Sequence, residues 1–348
     1  MSAGVVAARL TAQLLSGEPA ADPVAVARRL LAVQGQDQRG ARLAIRARST
    51  CVSAADVDRA LTDDRSLLIT WLNRGTLHLI ASEDYAWLHA LMAPPLLSAC
   101  ARRLAQNGVT PAAADRAVAT IERALASEGP LDRVQLRERI DKQGVRTAGQ
   151  ALVHLLLLAS VRGVAVRGPM VGAQHAYVLV RDWLGDPQAV DRERALAELA
   201  RRYLAGHAPA DERDLAKWSG LPLRDVRAGL AAIAPQLRER SDGLLELAHG
   251  AEAAPLPPPR LLGAFDPLLL GWRSRAALLD EHAPVIVTVN GLFRPFALVR
   301  ARAVATWSFA RAEVTLKPFA PLSRGVERAL RADAKKVVRY LATGAPAP

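Results

Sequence analysis

The spacing of apolar residues along the first part of the chain predicts helices followed by a β hairpin. In AGVVAARLTAQLLS and DPVAVARRLLAVQ, apolar residues recur every three or four positions, as they do on one face of a helix. Asp22 can cap the second of these helices, and Pro23 suits its first position. A third helix is predicted from Ser53, and SLLITWLNRGTLHLI indicates strand, turn and strand. This order is typical of a winged helix.

The same order of elements recurs further along the chain. A long helical stretch from residue 82 to about residue 106 comes first, and Pro94–Pro95 predicts an interruption within it. Three helical patterns follow, in TPAAADRAVATIERALASEG, LDRVQLRERIDKQG and TAGQALVHLLLLASVRG. The stretch VAVRGPMVGAQHAYVLV then predicts two strands around a turn at Gly168–Pro169. The third helix and the hairpin match the recognition helix and β wing of a winged helix.

A third copy and a β-rich end complete the pattern. From Asp191, a helix, a short helix, a turn with Gly220 and another helix give a helix-turn-helix order with only a weak wing. A proline-rich linker covers residues 252–260, and Asn290–Gly291 between apolar stretches indicates a hairpin. The predicted fold is mainly α with β: three tandem winged-helix units, then a small antiparallel β barrel and a terminal helix. The predicted boundaries are 1–108, 109–188, 189–251 and 258–348.

The composition adds a polyanionic partner to this picture. The chain has 348 residues, a net charge of +12 and a pI of about 10.6, and nearly all of its cations are arginine. A GC-rich genome explains the choice of arginine over lysine, but it does not explain the excess of cations over anions. Because basic proteins of this size typically bind polyanions, we expect nucleic acid as the partner.

Nothing in the sequence indicates a membrane protein or a secreted protein. No stretch of 18 residues is free of charge, and the apolar N-terminus lacks the basic segment of a secretory signal. The two cysteines, Cys51 and Cys100, indicate neither a disulfide framework nor a zinc site. We therefore predict a cytoplasmic monomer without membrane contact.

Familiar catalytic motifs are absent from the sequence. It has no G-x-S-x-G, H-E-x-x-H, P-loop or G-x-G-x-x-G pattern, and its seven histidines are scattered. We predict no metal site and no cofactor. Regulators usually dimerise one winged helix to read a two-fold operator. Three different units on one basic chain instead favour a surface that holds a duplex along its length.

Three segments of the chain, in order and over nearly its whole length, carry a family resemblance: LLAVQGQDQRGARLAIRARS, LLITWLNRGTLHLIASEDYAWL, and LLGAFDPLLLGWRSR with VTVNGLFRPFALVRARAVATW. They resemble the winged-helix DNA glycosylases of the AlkZ/YcaQ type. The resemblance implies three tandem winged helices, a C-terminal β barrel and excision of bulky N7-alkylguanine lesions, with unhooking of interstrand crosslinks in several members. It also implies that the catalytic motif, Gln, usually an apolar residue, then Gln or Asp, falls on Gln34–Gly35–Gln36. Gly35 departs from that pattern.

The two glutamines have two interpretations. From residue chemistry alone, Gln34 and Gln36 are the solvated C-terminal turn of the second helix. As a catalytic pair they suit a cationic N7-alkylguanine, which leaves without a general acid. One amide oxygen can hold the attacking water beneath C1′, and the other can stabilise positive charge on the sugar. Residues two apart do not share a helix face, so the helix must end or distort there, which Gly35 allows.

Other polar residues near these segments are candidate site residues. Asp37 is either a cap or loop residue, or a carboxylate that assists the water. Thr76 and His78 share one strand face, so His78 can face the lesion and Arg74 can meet a phosphate, unless the hairpin simply packs with one polar edge in water. Asp266 can order an arginine near the cleft or form an Asp-Pro turn. DNA contacts are predicted for Arg39, Arg74, Thr76, Arg167 and His175.

The sequence therefore predicts a monofunctional DNA glycosylase that acts on double-stranded DNA carrying alkylated purines. It would serve DNA repair or self-resistance to a genotoxic natural product. Hydrolysis by bound water is expected because no lysine stands near the motif, Lys142 being the first lysine in the chain. The alternatives are a winged-helix DNA-binding regulator without chemistry and a protein that sequesters a toxic compound.

Overall fold

The computed structural model describes residues 2–185 and 190–342 of the chain. The predicted boundary between the second and third units, at residues 188 and 189, lies outside the described residues. Across these two ranges, no helix has both the length and the hydrophobicity that crossing a membrane requires. The elements occur largely in the predicted order, and the differences concern two helices, one turn and the C-terminal sheet.

The first unit contains a helix that the sequence pattern did not predict. Its elements are α1 (Ala3–Ala12), α2 (Pro23–Leu30), β1 (Val33–Gln34), α3 (Gln38–Arg46), α4 (Ala54–Thr62), β2 (Leu67–Leu72), β3 (Thr76–Ala81) and α5 (Tyr85–Gln106). After α2 the backbone changes direction at Leu31, whose φ is +64°. Asp37 then caps α3 by accepting a hydrogen bond from the backbone N–H of Gly40. Helix α3 escaped prediction because its first turn, QRG, contains no apolar residue.

Helix α5 runs through Pro94 and Pro95, so the predicted interruption is wrong. A proline inside a helix removes one backbone hydrogen bond and presses against the preceding turn. Both prolines lie on the exposed side of α5, whereas Leu91 and Met92 are buried in the core. Burial of these apolar side chains offsets the lost hydrogen bonds and keeps the helix continuous.

The hairpins of the first two units form one sheet. The second unit comprises α6 (Pro111–Glu128), α7 (Arg133–Lys142), α8 (Ala151–Val161), β4 (Ala165–Val171), β5 (Gln174–Leu179) and α9 (Val180–Leu184). The strand order is β1-β3-β2-β4-β5, and β2 pairs antiparallel with β4 at Ile69 and Arg167. The two units are therefore joined by backbone hydrogen bonds and do not present separate wings.

The turn of the second hairpin lies beyond its predicted position. Strand β4 continues through Gly168 and Pro169, and the chain reverses only at Gly172, whose φ is +60°. The register shifts between Arg167 and Met170, so the Gly-Pro pair forms a β-bulge. Proline has no N–H to donate to the ladder, and a bulge is one of the few places where a strand accommodates it.

The third unit follows the predicted helix-turn-helix order. It consists of α10 (Arg192–His207), α11 (Glu212–Ser219), α12 (Leu223–Ala232), β6 (Leu237–Glu239) and β7 (Leu245–Leu247). Gly220 ends α11 in the left-handed conformation, with a φ of +79° that favours glycine. Helix α10 packs against α2 and α5, which brings the third unit onto the first.

The C-terminal part forms an open sheet instead of the predicted barrel. Its elements are β8 (Arg260–Leu262), α13 (Ala276–Leu279), α14 (Ala283–Ile286), β9 (Phe296–Val299), β10 (Arg302–Ala310), β11 (Glu313–Pro318) and α15 (Arg324–Ala342). The strand order is β11-β10-β9-β8, and in the part of the chain that the structure describes the two outer strands do not pair with each other. Asn290–Gly291 does form a turn, but only Val287 and Phe293 pair across it.

Helix α3 anchors the C-terminal part to the first unit. A Cβ atom at Gly40 would lie 2.3 Å from the carbonyl oxygen of Ala264, so only glycine permits this approach. At the other end of α3, Arg46 donates to the carboxylate of Asp333 on α15 at 3.3 Å. These contacts place the segment around residue 265 beside residues 34–37.

Candidate active site

The amides of Gln34 and Gln36 meet at the end of a strand, because Gln34 is the last residue of β1 and Gln36 lies in the bend that follows it. Gln34 lies opposite His78 in the antiparallel β1–β3 pair, and the backbone N–H of Gly35 donates to the carbonyl of Leu77 at 2.7 Å. Side chains two residues apart on an extended chain point to the same face. Nε2 of Gln34 donates to Oε1 of Gln36 at 2.6 Å. The interpretation as a solvated helix end is therefore wrong, since α2 ends at Leu30.

Gln34 and Gln36 differ in their exposure. The side chain of Gln34 is buried, with only 5% of the residue exposed, whereas Gln36 is exposed. The hydrogen bond between them leaves the carbonyl oxygen of Gln34, the second lone pair of the Gln36 carbonyl oxygen and the amide N–H groups of Gln36 available. The pair thus joins a fixed inner amide to an outer amide that water and substrate can reach.

A cleft of about 760 Å³ opens at the two glutamines. Residues from the first unit, the third unit and the C-terminal part line it together. Its charged groups are three cations and one carboxylate: Arg74, Lys217, Arg275 and Asp37. Its other lining residues include Thr76, Phe265, Leu270 and the loop at residues 290–293. The cleft is therefore basic and bordered on one side by apolar groups.

The cations of the cleft stand close to one another. The guanidinium of Arg74 donates to the carbonyl oxygen of Trp218 at 2.6 Å and also to that of Lys217, so it caps the C-terminal end of α11. Loss of solvation lowers the pKa of Arg74, and the positive charge of Arg275 lowers it further. Arginine nevertheless stays protonated at neutral pH. The hairpin turn of the first unit is thus fixed to the third unit at the edge of the cleft.

His78 is a neutral, buried residue behind Gln34. Only 4% of it is exposed, and its Nδ1 lies 2.9 Å from the carbonyl oxygen of Thr76. Burial lowers its pKa to about 4, and the charge of Arg74 contributes in the same direction. The structure therefore places Thr76 at the cleft but keeps His78 beneath it, as an uncharged imidazole at neutral pH.

Asp37 and Arg39 lie on the far side of the motif. Asp37 is the helix cap that one interpretation predicted, and it also lines the cleft. Arg39 is exposed, and its guanidinium stands 4.9 Å from the ring centre of Phe309 on β10. A second cleft, of about 910 Å³, begins at Asp37 and Arg39 and extends to α4 and to the tip of the second hairpin. Asp37 is thus shared by two clefts.

Two predicted DNA contacts are not brought to the site. Arg167 lies between the rings of Trp71 and Tyr177, and its guanidinium donates to the Tyr177 hydroxyl at 2.5 Å. His175 is buried, and burial lowers its pKa to about 3, with the nearby charge of Arg42 contributing. Both were predicted from their place in a wing, but the shared sheet turns their side chains into the protein.

Asp266 forms the predicted turn and also orders an arginine, but that arginine, Arg48, is fully buried and does not line the cleft. It caps the short 3₁₀ turn Pro267–Leu269 by accepting from the N–H of Leu268 at 2.9 Å. It also forms a bidentate ion pair with Arg48, with distances of 2.7 and 2.9 Å, and both side chains are fully buried. The arginine that it orders belongs to the end of α3, not to the arginines that follow it in sequence. Asp266 therefore joins the C-terminal part to the motif-bearing unit.

Several lining residues escaped the sequence analysis. Lys217 is far from the motif in sequence but lines the same cleft, so the prediction that no lysine stands near the motif is wrong. Phe265, Arg275 and Phe293 lie in the segments that carry the resemblance, but nothing in their local pattern relates them to residue 34. Among the described residues, no three histidine, cysteine, aspartate or glutamate side chains are grouped as metal ligands.

Comparison with known proteins relates the chain to a family. The family model described as DNA glycosylase AlkZ-like matches residues 27–340. A curated relative, the interstrand DNA cross-link repair glycosylase of Streptomyces sahachiroi, is 28% identical over 360 residues, covering 96% of this chain and 95% of the relative. The solved structure of the S. sahachiroi DNA glycosylase AlkZ has a TM-score of 0.79 at 24% identity, covering 99% of this chain and 97% of that chain. The last similarity shows the fold.

Proposed function

Because the chain belongs to the AlkZ-like DNA glycosylase family, we propose that it hydrolyses the N-glycosidic bond of bulky or crosslinking N7-alkylguanine in double-stranded DNA. The observation that carries the proposal is the hydrogen-bonded pair of Gln34 and Gln36 at a basic cleft. The curated relative is named for the repair of interstrand cross-links, which supports the crosslink part. A DNA-binding regulator without chemistry does not agree with membership of a glycosylase family.

The proposed reaction requires the protein mainly to position the attacking water and the sugar. An N7-alkylguanine already carries a positive charge, so it leaves with the bonding electrons and without a general acid. One amide oxygen accepts a hydrogen bond from water and holds it beneath C1′, while the other stabilises the positive charge that develops on the sugar. The bond from Gln34 to Gln36 fixes the relative orientation of the two amides before substrate binds. His78, uncharged at neutral pH, adds no positive charge behind this pair.

The surrounding cations suit the phosphates of the duplex. Arg74, Lys217 and Arg275 lie around a cleft in which Asp37 is the one charged group of opposite sign. Such groups bind DNA independently of sequence and release counterions as they do so. This arrangement agrees with an enzyme that selects damage and tolerates sequence.

We propose hydrolysis, not a Schiff base, although Lys217 lies in the cleft. The glutamine pair supports hydrolysis, because an amide side chain cannot form a Schiff base with the sugar, whereas its oxygen can hold water. Treatment with borohydride during turnover tests the point. A monofunctional enzyme leaves no protein–DNA adduct, and a trapped adduct that disappears in Lys217→Ala would show a lyase instead.

The central test is substitution of each glutamine. In Gln34→Ala and Gln36→Ala, release of free N7-alkylguanine from a duplex should fall at least about 100-fold, the usual loss when one stabilising group is removed. Binding to the same duplex should persist, since neither amide contributes charge. Gln143→Ala is the matched control, because that amide is exposed on the second unit. Excision at the wild-type rate by both variants would refute the assignment.

A panel of lesions distinguishes the possible substrates. A simple N7-methylguanine, a bulky monoadduct and an interstrand crosslink should be offered in the same duplex sequence. Activity on the bulky monoadduct and the crosslink supports repair of, or resistance to, a bifunctional genotoxic compound. Activity on the methyl lesion alone would contradict the bulky and crosslinking part of the proposal and leave the glycosylase assignment intact.

A further inference from the structure

The wall of the cleft contributed by the C-terminal part carries two half-buried phenylalanine rings. The rings of Phe265 and Phe293 lie 5.5 Å apart, with their planes inclined by 39°. Both residues line the cleft that contains Gln34 and Gln36. The guanidinium carbon of Arg275 stands 5.1 Å from the ring centre of Phe293. A cation is therefore already seated on this aromatic wall, which is defined by Phe265 and Phe293.

The backbone holds Phe265 in place at a conformational cost. Its φ is +55°, in the left-handed region that residues other than glycine rarely adopt. The next residue is Asp266, whose buried bidentate pair with Arg48 fixes the segment from one side. The preceding residue, Ala264, lies against Gly40 of α3. A strained backbone conformation persists only where surrounding contacts hold the residue in place, and such residues are concentrated at functional sites.

The electrostatics of the cleft raise a problem that the aromatic wall resolves. The substrate base is positively charged, yet the cleft offers it three cations and one carboxylate. Phosphates can pair with the cations, but the purinium ring cannot. The face of a phenylalanine ring is electron-rich and attracts a cation within about 6 Å of its centre. Among the cleft residues, Phe265 and Phe293 provide the surface that suits a flat cation.

We propose that the aromatic wall recognises the positive charge of the alkylated purine, so that Phe265 and Phe293 select N7-alkylguanine over unmodified guanine. This inference rests on the proposed function. Arg74, Lys217 and Arg275 hold the flanking phosphates, while the wall receives the charged ring or the adduct attached to it. The rings thus determine specificity, and the glutamine pair carries out the chemistry.

The test compares the binding of two lesions that the enzyme cannot cleave. One duplex carries N7-methylguanine on a 2′-fluoro sugar, which is cationic but resists cleavage because fluorine destabilises positive charge on the sugar. The other carries 7-deaza-7-methylguanine, which has nearly the same shape without the charge. Wild-type protein should bind the cationic duplex more tightly. Phe265→Leu and Phe293→Leu should each reduce that preference by about 2-fold to 30-fold, the range expected for one cation–π contact.

Matched variants separate recognition from packing. Phe319→Leu removes a half-buried ring that does not line the cleft, and it should keep the full preference for the cationic duplex. Phe265→Tyr keeps an aromatic face and should keep the preference too. Urea unfolding of each variant shows whether it is folded, and a double variant, Phe265→Leu with Phe293→Leu, provides a second measurement should one single variant prove unstable.

The outcomes distinguish this inference from the proposed function. An unchanged preference for the cationic duplex in both folded leucine variants would overturn the aromatic wall while leaving the glycosylase assignment in place. Wild-type protein that binds both lesion duplexes no better than undamaged DNA, and releases no alkylated base, would count against the proposed function itself. Loss of preference in the two leucine variants, with retention in Phe265→Tyr and Phe319→Leu, supports the inference.

Discussion

At the scale of single residues, Gly35 can be tested directly. A Cβ atom at this position would lie 3.4 Å from Cγ2 of Ile69 and 3.4 Å from the backbone nitrogen of Leu79, which is ordinary contact, and its φ is not in the left-handed region. We expect Gly35→Ala to keep excision within about twofold and to raise the free energy of unfolding by about 0.5–1 kcal/mol, because alanine restricts the unfolded chain. Urea unfolding and base release measure the two effects.

A second glycine provides the contrast for this prediction. A Cβ atom at Gly129 would meet no other atom within 4 Å, but the φ of this residue is +81°. With a ψ of −148°, this conformation is essentially restricted to glycine, so Gly129→Ala should lower the free energy of unfolding by about 1–3 kcal/mol through backbone strain alone. Should Gly35→Ala remain folded and lose excision, the freedom of glycine at the motif would be part of catalysis. The apolar side chain usual in the family at this position would then not suit this chain.

The glutamine pair is the part of the site that lies within reach of sequence reasoning. Gln34 ends the short strand β1 and Gln36 lies two residues further on, so local geometry brings their amides together. The resemblance identified the pair, and the requirement that the helix end before it is confirmed, because α2 ends at Leu30. The strand at Gln34 was not predicted. The position of the helix end was not predicted because it occurs at Leu31, which has a positive φ. No proline or glycine at that position indicates the change to extended chain.

At the scale of elements, local pattern predicted periodic segments and failed where tertiary contacts override it. The amphipathic helices and the first hairpin formed as predicted. Gly168–Pro169 predicts a turn, but β4 continues through it and pairs with β5, with Pro169 in a bulge. The apolar residues 285–289 predict one strand of the hairpin at Asn290–Gly291. In the structure, residues 285 and 286 belong to α14, and Val289 is exposed. Apolar character alone does not tell a strand from a short helix.

The ion pair between the end of α3 and the C-terminal part should be a strong element-level contact. We expect Asp266→Asn to lower the free energy of unfolding by about 3–5 kcal/mol, because it leaves the buried guanidinium of Arg48 without a counter-charge. Asp280→Asn breaks an exposed pair with Arg302 and should cost less than about 1 kcal/mol. Equal costs in urea unfolding would show that the buried pair does not hold the two parts together.

At the scale of the whole molecule, the cleft exists only because distant segments pack together. Lys217 and Arg275 come from the third unit and the C-terminal part, and no local signal relates either of them to Gln34. Helix α10 brings the third unit onto the first, and the Arg48–Asp266 pair brings the C-terminal part beside the motif. Sequence patterns predicted the units and their order, but which side chains converge is decided by these long-range contacts.

Three buried histidines make the stability of the whole molecule depend on pH. Burial lowers the pKa of His78 to about 4 and those of His175 and His207 to about 3, against about 6.5 in an unfolded chain. Between these values the unfolded chain binds more protons than the native protein does. Stability is therefore full above pH 6.5 and falls as the pH decreases below it, by up to about 1.4 kcal/mol per pH unit for each histidine.

The urea midpoint between pH 7.5 and pH 5 measures this dependence. The range stops at pH 5 so that the histidines, not the carboxylates, dominate the change. His207→Gln removes one of the three buried groups, so its stability should depend less steeply on pH, even if the variant is less stable throughout. His249→Gln changes an exposed histidine and should keep the wild-type slope. A midpoint that stays constant from pH 7.5 to pH 5 in the wild-type protein would mean that the three imidazoles gain protons without unfolding, which their burial among packed elements argues against.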